Sequence, residues 1–442
     1  MRRLFRLGFL AVLACSSSAA TTIAVTLGGE TDTVSRSPAV ASYIIEAVDQ
    51  QGNRQTLADG GWVPDSTVQL TDLDQTVVAS IQLTAFEAQG SPVVWGAVPF
   101  EQLGVFDGVT VPLFIQRKGE NARMPGDADD QGQPLLATSS SVIYVAGDNH
   151  DLVAYDMLML DFFGRCPLVA GAKSFAVVVS PDPNSDDEYA MAWRVDNDAA
   201  SIVGLGQCTT GYEKFVQLDA ASGSFSWGDF AGGRTVMGDD GSAYIVGPSR
   251  LSAPSGTVFK IAPDNDASLV NASITSTALA ARQGAATAWA PTRGVFIYGG
   301  STSSTKAGEL VSPSGSVTEI DGNETREDLA AIAFDSKTML LAGDDQVPTL
   351  VDLSCSSCPT QSWGVALPVK LSSPSLFSLG NGAFLIVGDD STGATRVLRM
   401  SASATVEKPL KITRHGARAI QFETGQIVII GGGNATPESY VD

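Results

Sequence analysis

The stretch "QIVIIGGG" at residues 426–433 decides the fold, because related phrases recur through the rest of the chain. Each phrase is a short apolar run of the kind found in buried strands, and it is closed by glycine, whose freedom to adopt positive φ lets the chain leave a strand tightly. The relatives are "SVIYVAGD" at 141–148, "SAYIVG" at 242–247, "GVFIYGG" at 294–300, "TMLLAGDD" at 338–345 and "AFLIVGDD" at 383–390.

The spacing of these phrases predicts a repeat. Their first glycines are separated by 100, 52, 44, 45 and 43 residues. The first gap is twice the others, so a degenerate copy is expected near residue 197, where "EYAMAWRVDND" at 188–198 lacks the glycine. Seven units of about 40 to 50 residues have the period of propeller blades. The glycines used for the count are Gly147, Gly247, Gly299, Gly343, Gly388 and Gly431.

Each unit resembles the kelch repeat. One strand precedes the glycine strand, as in "DLAAIAF", and another follows it, as in "LVAYD". In that family a glycine doublet ends the second strand, Tyr-Asp marks the third and a tryptophan lies in the fourth. Only two units keep the doublet, and the Arg-Gly-His that usually precedes the first strand survives only as "TRHGARA". The best landmarks are Tyr155, Tyr440, Trp227 and Trp363.

The resemblance implies a seven-bladed kelch-like β-propeller over residues 134–442, an architecture shared with the central domain of galactose oxidase. The last unit shows only three strands, so its fourth is expected from the segment before the first unit, with "VTVPLFIQRKG" at 109–119 as the candidate. Such pairing would remove an exposed strand edge.

The segment before the repeats reads as a separate all-β domain. "ASIQLTAF" at 79–86 alternates apolar and polar residues, as half-buried strands do. We predict a small immunoglobulin-like β-sandwich here. The predicted organisation is a lipoprotein signal peptide at 1–14, an anchor and β-sandwich domain at 15–118, a linker at 119–133 and the propeller at 134–442.

The N-terminus has the layout of an export signal. Three arginines precede a short apolar run in "MRRLFRLGFLAVLAC". "VLAC" at 12–15 resembles a bacterial lipobox, which implies that Cys15 carries a lipid anchor. Ser16, by resemblance to Gram-negative lipoproteins, indicates delivery to the outer membrane, facing the periplasm or the cell surface. The alternative is a secretory signal cut after Ala20, with Cys15 discarded.

The cysteines beyond Cys15 predict two disulfides. An even number in an exported chain is most simply explained by pairing, here between neighbours in the sequence, although four cysteines allow three connectivities. "CSSC" at 355–358 also suits a zinc half-site or a redox pair, but the chain has only two histidines and this segment resembles a loop. The four are Cys166, Cys208, Cys355 and Cys358.

Acidic residues follow several glycine strands, and the repeat places them in the loops between second and third strands. We predict that they form a binding rim for a cation such as Ca²⁺, a basic protein surface or a calcium-bridged glycan. The alternative is that aspartate simply suits a turn after glycine. The rim residues are Asp148, His150, Asp344, Asp345, Asp389 and Asp390.

Charge and motifs narrow the function. A net charge of −21 repels phosphate backbones, which excludes nucleic acid as a partner. We see no nucleophile elbow or phosphate-binding loop, and two histidines cannot supply the copper ligands of galactose-oxidase-like enzymes. The chain therefore predicts no catalytic residue, no resident cofactor and no metal ligand set.

The chain resembles kelch-bearing envelope lipoproteins of Gram-negative bacteria. The predicted function is a monomeric, non-catalytic binding module for an envelope protein or a glycan, which touches the membrane only through its lipid. Two alternatives stay open. One is a structural envelope component, and the other is a carbohydrate-active enzyme that uses carboxylates in the central channel.

Overall fold

The computed structural model describes most of the chain and shows an all-β protein. No helix occurs in the described residues, so none there is long and apolar enough to cross a membrane. The described residues are 21–49, 51–63, 67–70, 78–99, 110–127, 132–139, 141–146, 151–167, 174–181, 188–195, 200–204, 214–216, 234–247, 256–262, 273–422 and 424–442.

The N-terminal part is one seven-stranded sheet. Its order is β3-β2-β5-β6-β7-β1-β4, and all its pairs are antiparallel except β1 with β7. Alternate residues such as Ile81, Leu83 and Ala85 are fully buried, as the apolar and polar alternation predicts. The immunoglobulin-like sandwich stays a prediction. The strands are β1 (Thr21–Leu27), β2 (Ser42–Asp49), β3 (Arg54–Gly61), β4 (Thr67–Leu70), β5 (Val78–Phe86), β6 (Pro92–Pro99) and β7 (Thr110–Arg117).

The remaining described strands form seven four-stranded antiparallel sheets. The first three sheets contain β9 (Leu135–Ser139), β10 (Val142–Ala146), β11 (Asp151–Asp156) and β12 (Asp161–Pro167); β13 (Ser174–Pro181), β14 (Glu188–Val195), β15 (Ala200–Gly204) and β16 (Lys214–Val216); β17 (Arg234–Met237), β18 (Ala243–Gly247), β19 (Gly256–Ala262) and β20 (Ser273–Leu279).

The next three sheets and the last follow the same order. They contain β21 (Ala286–Ala290), β22 (Gly294–Tyr298), β23 (Gly308–Val311) and β24 (Val317–Ile320); β25 (Ala330–Ala333), β26 (Thr338–Ala342), β27 (Thr349–Asp352) and β28 (Gln361–Ser362); β29 (Ser372–Gly380), β30 (Ala383–Asp389), β31 (Thr395–Met400) and β32 (Thr405–Glu407); β33 (Arg418–Gln421), β34 (Ile427–Ile430) and β35 (Glu438–Tyr440), completed by β8 (Asn121–Arg123).

These sheets form a ring of the β-propeller type. The first strands of successive sheets contact one another, from β9 through β13, β17, β21, β25 and β29 to β33, and β33 contacts β9 again. The predicted glycine strands are confirmed as second strands, and the degenerate copy is β14. The glycines at the ends of these second strands have different roles. Gly431 has a positive φ of +79°, a conformation that favours glycine. Gly388 lies in β30, and there an added Cβ would approach Pro374 Cα to 3.1 Å.

The ring is closed by a strand from before the first sheet, as predicted, but the candidate segment was wrong. β35 pairs antiparallel with β8, with Ser439 opposite Ala122. Residues 110–117 of the candidate belong instead to β7, where they pair with β1 and β6. The closing strand therefore lies within the segment predicted as the linker, residues 119–133.

The N-terminal sheet is fastened to the closing strand. The Glu30 carboxylate accepts hydrogen bonds from Arg123 Nε and from its backbone N–H, both at 2.8 Å. Gln116 of β7 donates to the Ser439 carbonyl of β35 at 3.1 Å. Gly28 follows β1 so closely against β8 that an added Cβ would lie 1.7 Å from the Arg123 carbonyl oxygen.

We expect Gly28→Ala to destabilise the protein and Gly61→Ala to leave it nearly unchanged. The Gly28 methyl group has no room beside the closing strand, and overpacking of this kind costs about 1–3 kcal/mol. The Cβ of Gly61 would meet only the Ala41 carbonyl oxygen, at 4.0 Å. Thermal unfolding of both variants measures the difference. Equal melting temperatures would contradict the close packing of Gly28 against Arg123 of β8.

Candidate functional site

A cavity of about 600 Å³ opens at one end of the ring. We call this end the mouth face. First strands begin there and, because neighbouring strands are antiparallel, second strands end there. Each of the seven sheets, or the segment that leads into its first strand, supplies lining residues, among them Leu136, Phe175, Arg234, Thr287, Ala331, Ser375 and Arg418. The size is that of a small-molecule site.

Two buried ion pairs hold the segments that lead into the inner strands. In one, Arg282 bonds Glu309 at 2.6 Å and donates to the Gly299 carbonyl at 3.1 Å. In the other, Arg414 bonds Glu438 at 3.3 Å and donates to the Gly431 carbonyl at 2.8 Å. Each arginine thus ties the start of its own sheet to the glycine turn after the second strand.

The sequence analysis did not recognise that these two arginines occupy equivalent positions in their repeats. "ARQG" at 281–284 occupies the place of "TRHG" at 413–416, and each arginine lies four residues before the first residue of its inner strand. Gly284 and Gly416 have φ of +66° and +82° in the turn that follows. Asp328 and Ser373 hold similar left-handed positions in the neighbouring sheets, with φ of +59° and +47°. The recurring Arg-x-Gly was the available signal.

The charged side chains of the cavity are Arg234, Arg418, Arg282 and Asp328 among the described residues that line it. Arg234 donates to the Leu329 carbonyl at 2.9 Å. Burial lowers the pKa of its guanidinium, the charge of Asp328 raises that pKa and the charge of Arg418 lowers it. The side chain is enclosed by protein, yet it keeps intermediate exposure because the cavity itself is open space.

Three of the four described rim aspartates are buried and bonded within the fold. Asp389 accepts from Thr395 Oγ1 at 2.7 Å, and its second oxygen pairs with Arg418 at 3.0 Å. Asp390 accepts from the backbone N–H of Thr392 at 2.8 Å and pairs with Arg396 at 2.7 Å. The Thr392 hydroxyl and Arg396 lower the pKa of the Asp390 carboxyl.

Sheet five shows the same pattern with one exception. The Asp344 carboxylate is buried, accepts from the Gln346 backbone N–H at 3.4 Å and lies 3.5 Å from Arg326. Asp345 is exposed. The turn geometry at Asp344 and Asp390 therefore favours the alternative that aspartate suits a turn after glycine. Binding of a cation at this rim stays a prediction, as does its bridging of a glycan.

Of the predicted disulfides, the one between Cys355 and Cys358 is confirmed. Several other predicted residues lie outside the described part of the chain. The side chain of Cys166 and all of Cys208 fall outside the described residues, so their pairing stays a prediction. No group of three His, Cys, Asp or Glu side chains that could hold a metal ion occurs in the described residues. Also outside are Cys15, Asp148, His150 and Trp227.

Comparison with known proteins yields structures only. No protein-family model matches the chain, and no curated protein is similar to it. The crystal structure of BBS1N in complex with ARL6DN is similar with a TM-score of 0.46 and 10% identity, over 74% of this chain and 96% of that one. The structure of U3-55K gives 0.45 and 11%, over 73% and 98%. The RRP9 WD40 repeats give 0.44 and 12%, over 72% and 96%. At these scores, the fold assignment rests on the strand pairing.

We expect Glu309→Gln to destabilise the protein far more than Glu319→Gln. The two residues lie opposite each other in β23 and β24. Glu309 neutralises the buried Arg282, and removal of one partner of a buried pair costs about 3–5 kcal/mol. Glu319 is exposed beside Lys306 at 3.4 Å, a pair worth less than about 1 kcal/mol.

Chemical denaturation followed by tryptophan fluorescence checks this difference. Equal losses of stability in the two variants would mean that Arg282 does not depend on its buried partner.

Proposed function

We propose that this chain is a lipid-anchored protein of the bacterial envelope whose seven-bladed kelch-like propeller is a non-catalytic binding module. Its ligand is a protein or a glycan, and the mouth face binds it. The observation that carries the proposal is the cavity of about 600 Å³, because a well-formed cavity with a few converging charged groups is the usual binding site of a fold.

The chemistry of the cavity supports binding. Arginine does not lose its proton in proteins, so Arg234 and Arg418 supply fixed positive charge and cannot act as general bases. Fixed charge and hydrogen-bond donors orient a ligand. The export-signal pattern that precedes Cys15 supports the lipid anchor. The N-terminal sheet would then lie between the membrane and the ring.

The packing of the two parts supports a rigid presentation of the mouth face. The ion pair of Arg36 with Glu120 at 2.9 Å and the bonds of Arg123 to Glu30 join the N-terminal sheet to the segment around the closing strand. Phe114 of β7 packs in one core cluster with Met124 and Val428 of the ring. A module fastened in this way holds its binding face at a fixed orientation relative to its anchor.

The test compares two hairpins of the same sheet. Asp345 is exposed between β26 and β27 on the mouth face, and Ser336 is exposed between β25 and β26 at the opposite end. We expect Asp345→Arg to reduce capture of the ligand several-fold, because a long side chain at the rim obstructs the shape on which close contact with a ligand depends. Ser336→Arg serves as the matched control and should capture normally.

The measurement is capture by the full-length protein, both from a glycan array and by cross-linking to envelope proteins in the producing cells. Loss of capture in the Asp345 variant alone supports the mouth face. Undiminished capture by both variants, with the same partner cross-linked, would contradict the proposal and favour a structural envelope component.

A further inference from the structure

The cavity of this acidic chain is lined by more arginines than carboxylates. The protein carries a net charge of −21, yet the described residues that line the cavity include three arginines and a single carboxylate, Asp328. The three arginines differ in how many of their N–H donors are hydrogen-bonded within the protein. That difference indicates which of them can serve a ligand.

Arg282 is fully engaged by the protein. Its guanidinium is buried, pairs with both carboxylate oxygens of Glu309 at 2.6 and 3.3 Å, and donates to the carbonyls of Gly299, Lys306 and Ala307. Its charge is neutralised and its donors are used. It shapes the wall of the cavity without offering a free donor.

Arg234 and Arg418 keep donors in reserve. Among the described residues, the hydrogen bond of Arg234 is the one to the Leu329 carbonyl. Arg418 uses one terminal nitrogen for Asp389, at 3.0 Å, and for the Ala417 carbonyl, at 2.9 Å. A guanidinium has five N–H groups in a planar fork, so both side chains retain donors for a planar anion.

The positive charges of the two arginines also repel each other. The charge of Arg418 acts against that of Arg234, burial disfavours the cationic form of Arg234, and Asp328 offsets only part of this. A charge held in a partly enclosed site is costly unless it is paired. An anion between the two guanidiniums would give Arg234 the charged partner that it lacks among the described residues and would give the remaining donors of Arg418 a second acceptor, with charge-assisted hydrogen bonds.

Hydroxyl groups line the same cavity. Thr235 and Ser375 are half-buried and Ser373 is exposed, and all three belong to its wall together with the Asp328 carboxylate. Hydroxyls and a carboxylate are suitable partners for the hydroxyls of a ligand. Apolar side chains such as Leu136, Ile297 and Leu376 complete the wall.

We propose that the cavity binds a sugar acid, a carboxylate carried on a polyhydroxylated ring. The carboxylate lies between Arg234 and Arg418, and the ring hydroxyls bond Asp328 and the serine and threonine hydroxyls. This rests on the proposed function, since it names the ligand class of the same mouth face. A monosaccharide or disaccharide fits the volume of about 600 Å³.

The experiment is calorimetric titration of the full-length protein with a monomeric uronate, with the neutral parent sugar and with an aspartate-containing peptide. We expect the uronate to bind, and added salt to weaken its binding. The neutral sugar should bind at least about tenfold more weakly, since it lacks the charge-assisted bonds. Binding of the peptide without the uronate would overturn the sugar acid as the ligand.

Three variants locate the site. Arg234→Gln should weaken uronate binding by about tenfold or more. Arg293→Gln is the matched control: Arg293 is also half-buried and donates to a backbone carbonyl, that of Leu353, but it lies at the opposite end of the ring. Asp328→Asn should tighten binding about two- to fivefold, because it removes the nearby negative charge while its amide oxygen still accepts a hydrogen bond from a ring hydroxyl, and asparagine tolerates the φ of +59°.

The gain expected for Asp328→Asn cannot come from misfolding, so the site stays testable if Arg234→Gln folds poorly. Equal uronate affinity in the wild type, Arg234→Gln and Asp328→Asn would overturn the inference. If Asp345→Arg still abolished capture of a partner in that case, the mouth face would remain the binding face with a different ligand. If it did not, the proposed function would fall as well.

Discussion

The antiparallel pairing of β8 with β35 is the constraint on which the ring depends. Without β8, the last sheet would have three strands and β35 would be an open edge. The pairing spans only three residues, so other contacts must hold it in place. Asn121 donates to the carbonyls of Lys408 and Pro409, and the N-terminal sheet packs against the same segment. The segment around β8 therefore both closes the ring and attaches the N-terminal sheet to it.

The closure is linked to the cavity through a short series of contacts. Glu438 is the residue of β35 that faces Arg123 of β8, and its carboxylate pairs with the buried Arg414. Arg414 begins the turn that leads to Arg418, which lines the cavity. Loosening of the closing strand would thus disturb the partner of Arg414 first and the position of Arg418 next. The closing strand and a cavity-lining arginine are therefore connected through Glu438 and Arg414.

The sequence revealed six of the seven second strands because each combines an apolar run with a terminal glycine, a signal that needs no knowledge of partners, and the seventh, β14, was placed by the spacing alone. The closing strand gave no such signal: "NAR" at 121–123 is three residues long, and its burial comes from neighbours remote in the sequence. Residues 110–117 have a stronger strand pattern, but the pattern could not say which sheet they join. The aspartates were visible as "GDD", whereas the arginine that neutralises Asp389 lies 29 residues away. A sequence pattern predicts where strands lie, whereas the pairing of charged side chains such as Asp389 and Arg418 is known only from the fold.

The contrast between an acidic chain and a cavity lined by arginines bears on the selectivity of the proposed site. Surface charges are screened beyond about 8 Å at physiological ionic strength, so carboxylates on the outside weaken but do not cancel the field of guanidiniums inside a partly enclosed site. A highly charged polyanion is repelled by the surrounding surface before it reaches the mouth. A ligand with one carboxylate and many hydroxyls meets little of that repulsion, and the proposed site offers it Arg234 and the remaining donors of Arg418. On the proposed function, the acidic chain and the remaining donors of the two arginines together favour a ligand of low charge density, such as a sugar acid, over nucleic acid and strongly acidic protein segments.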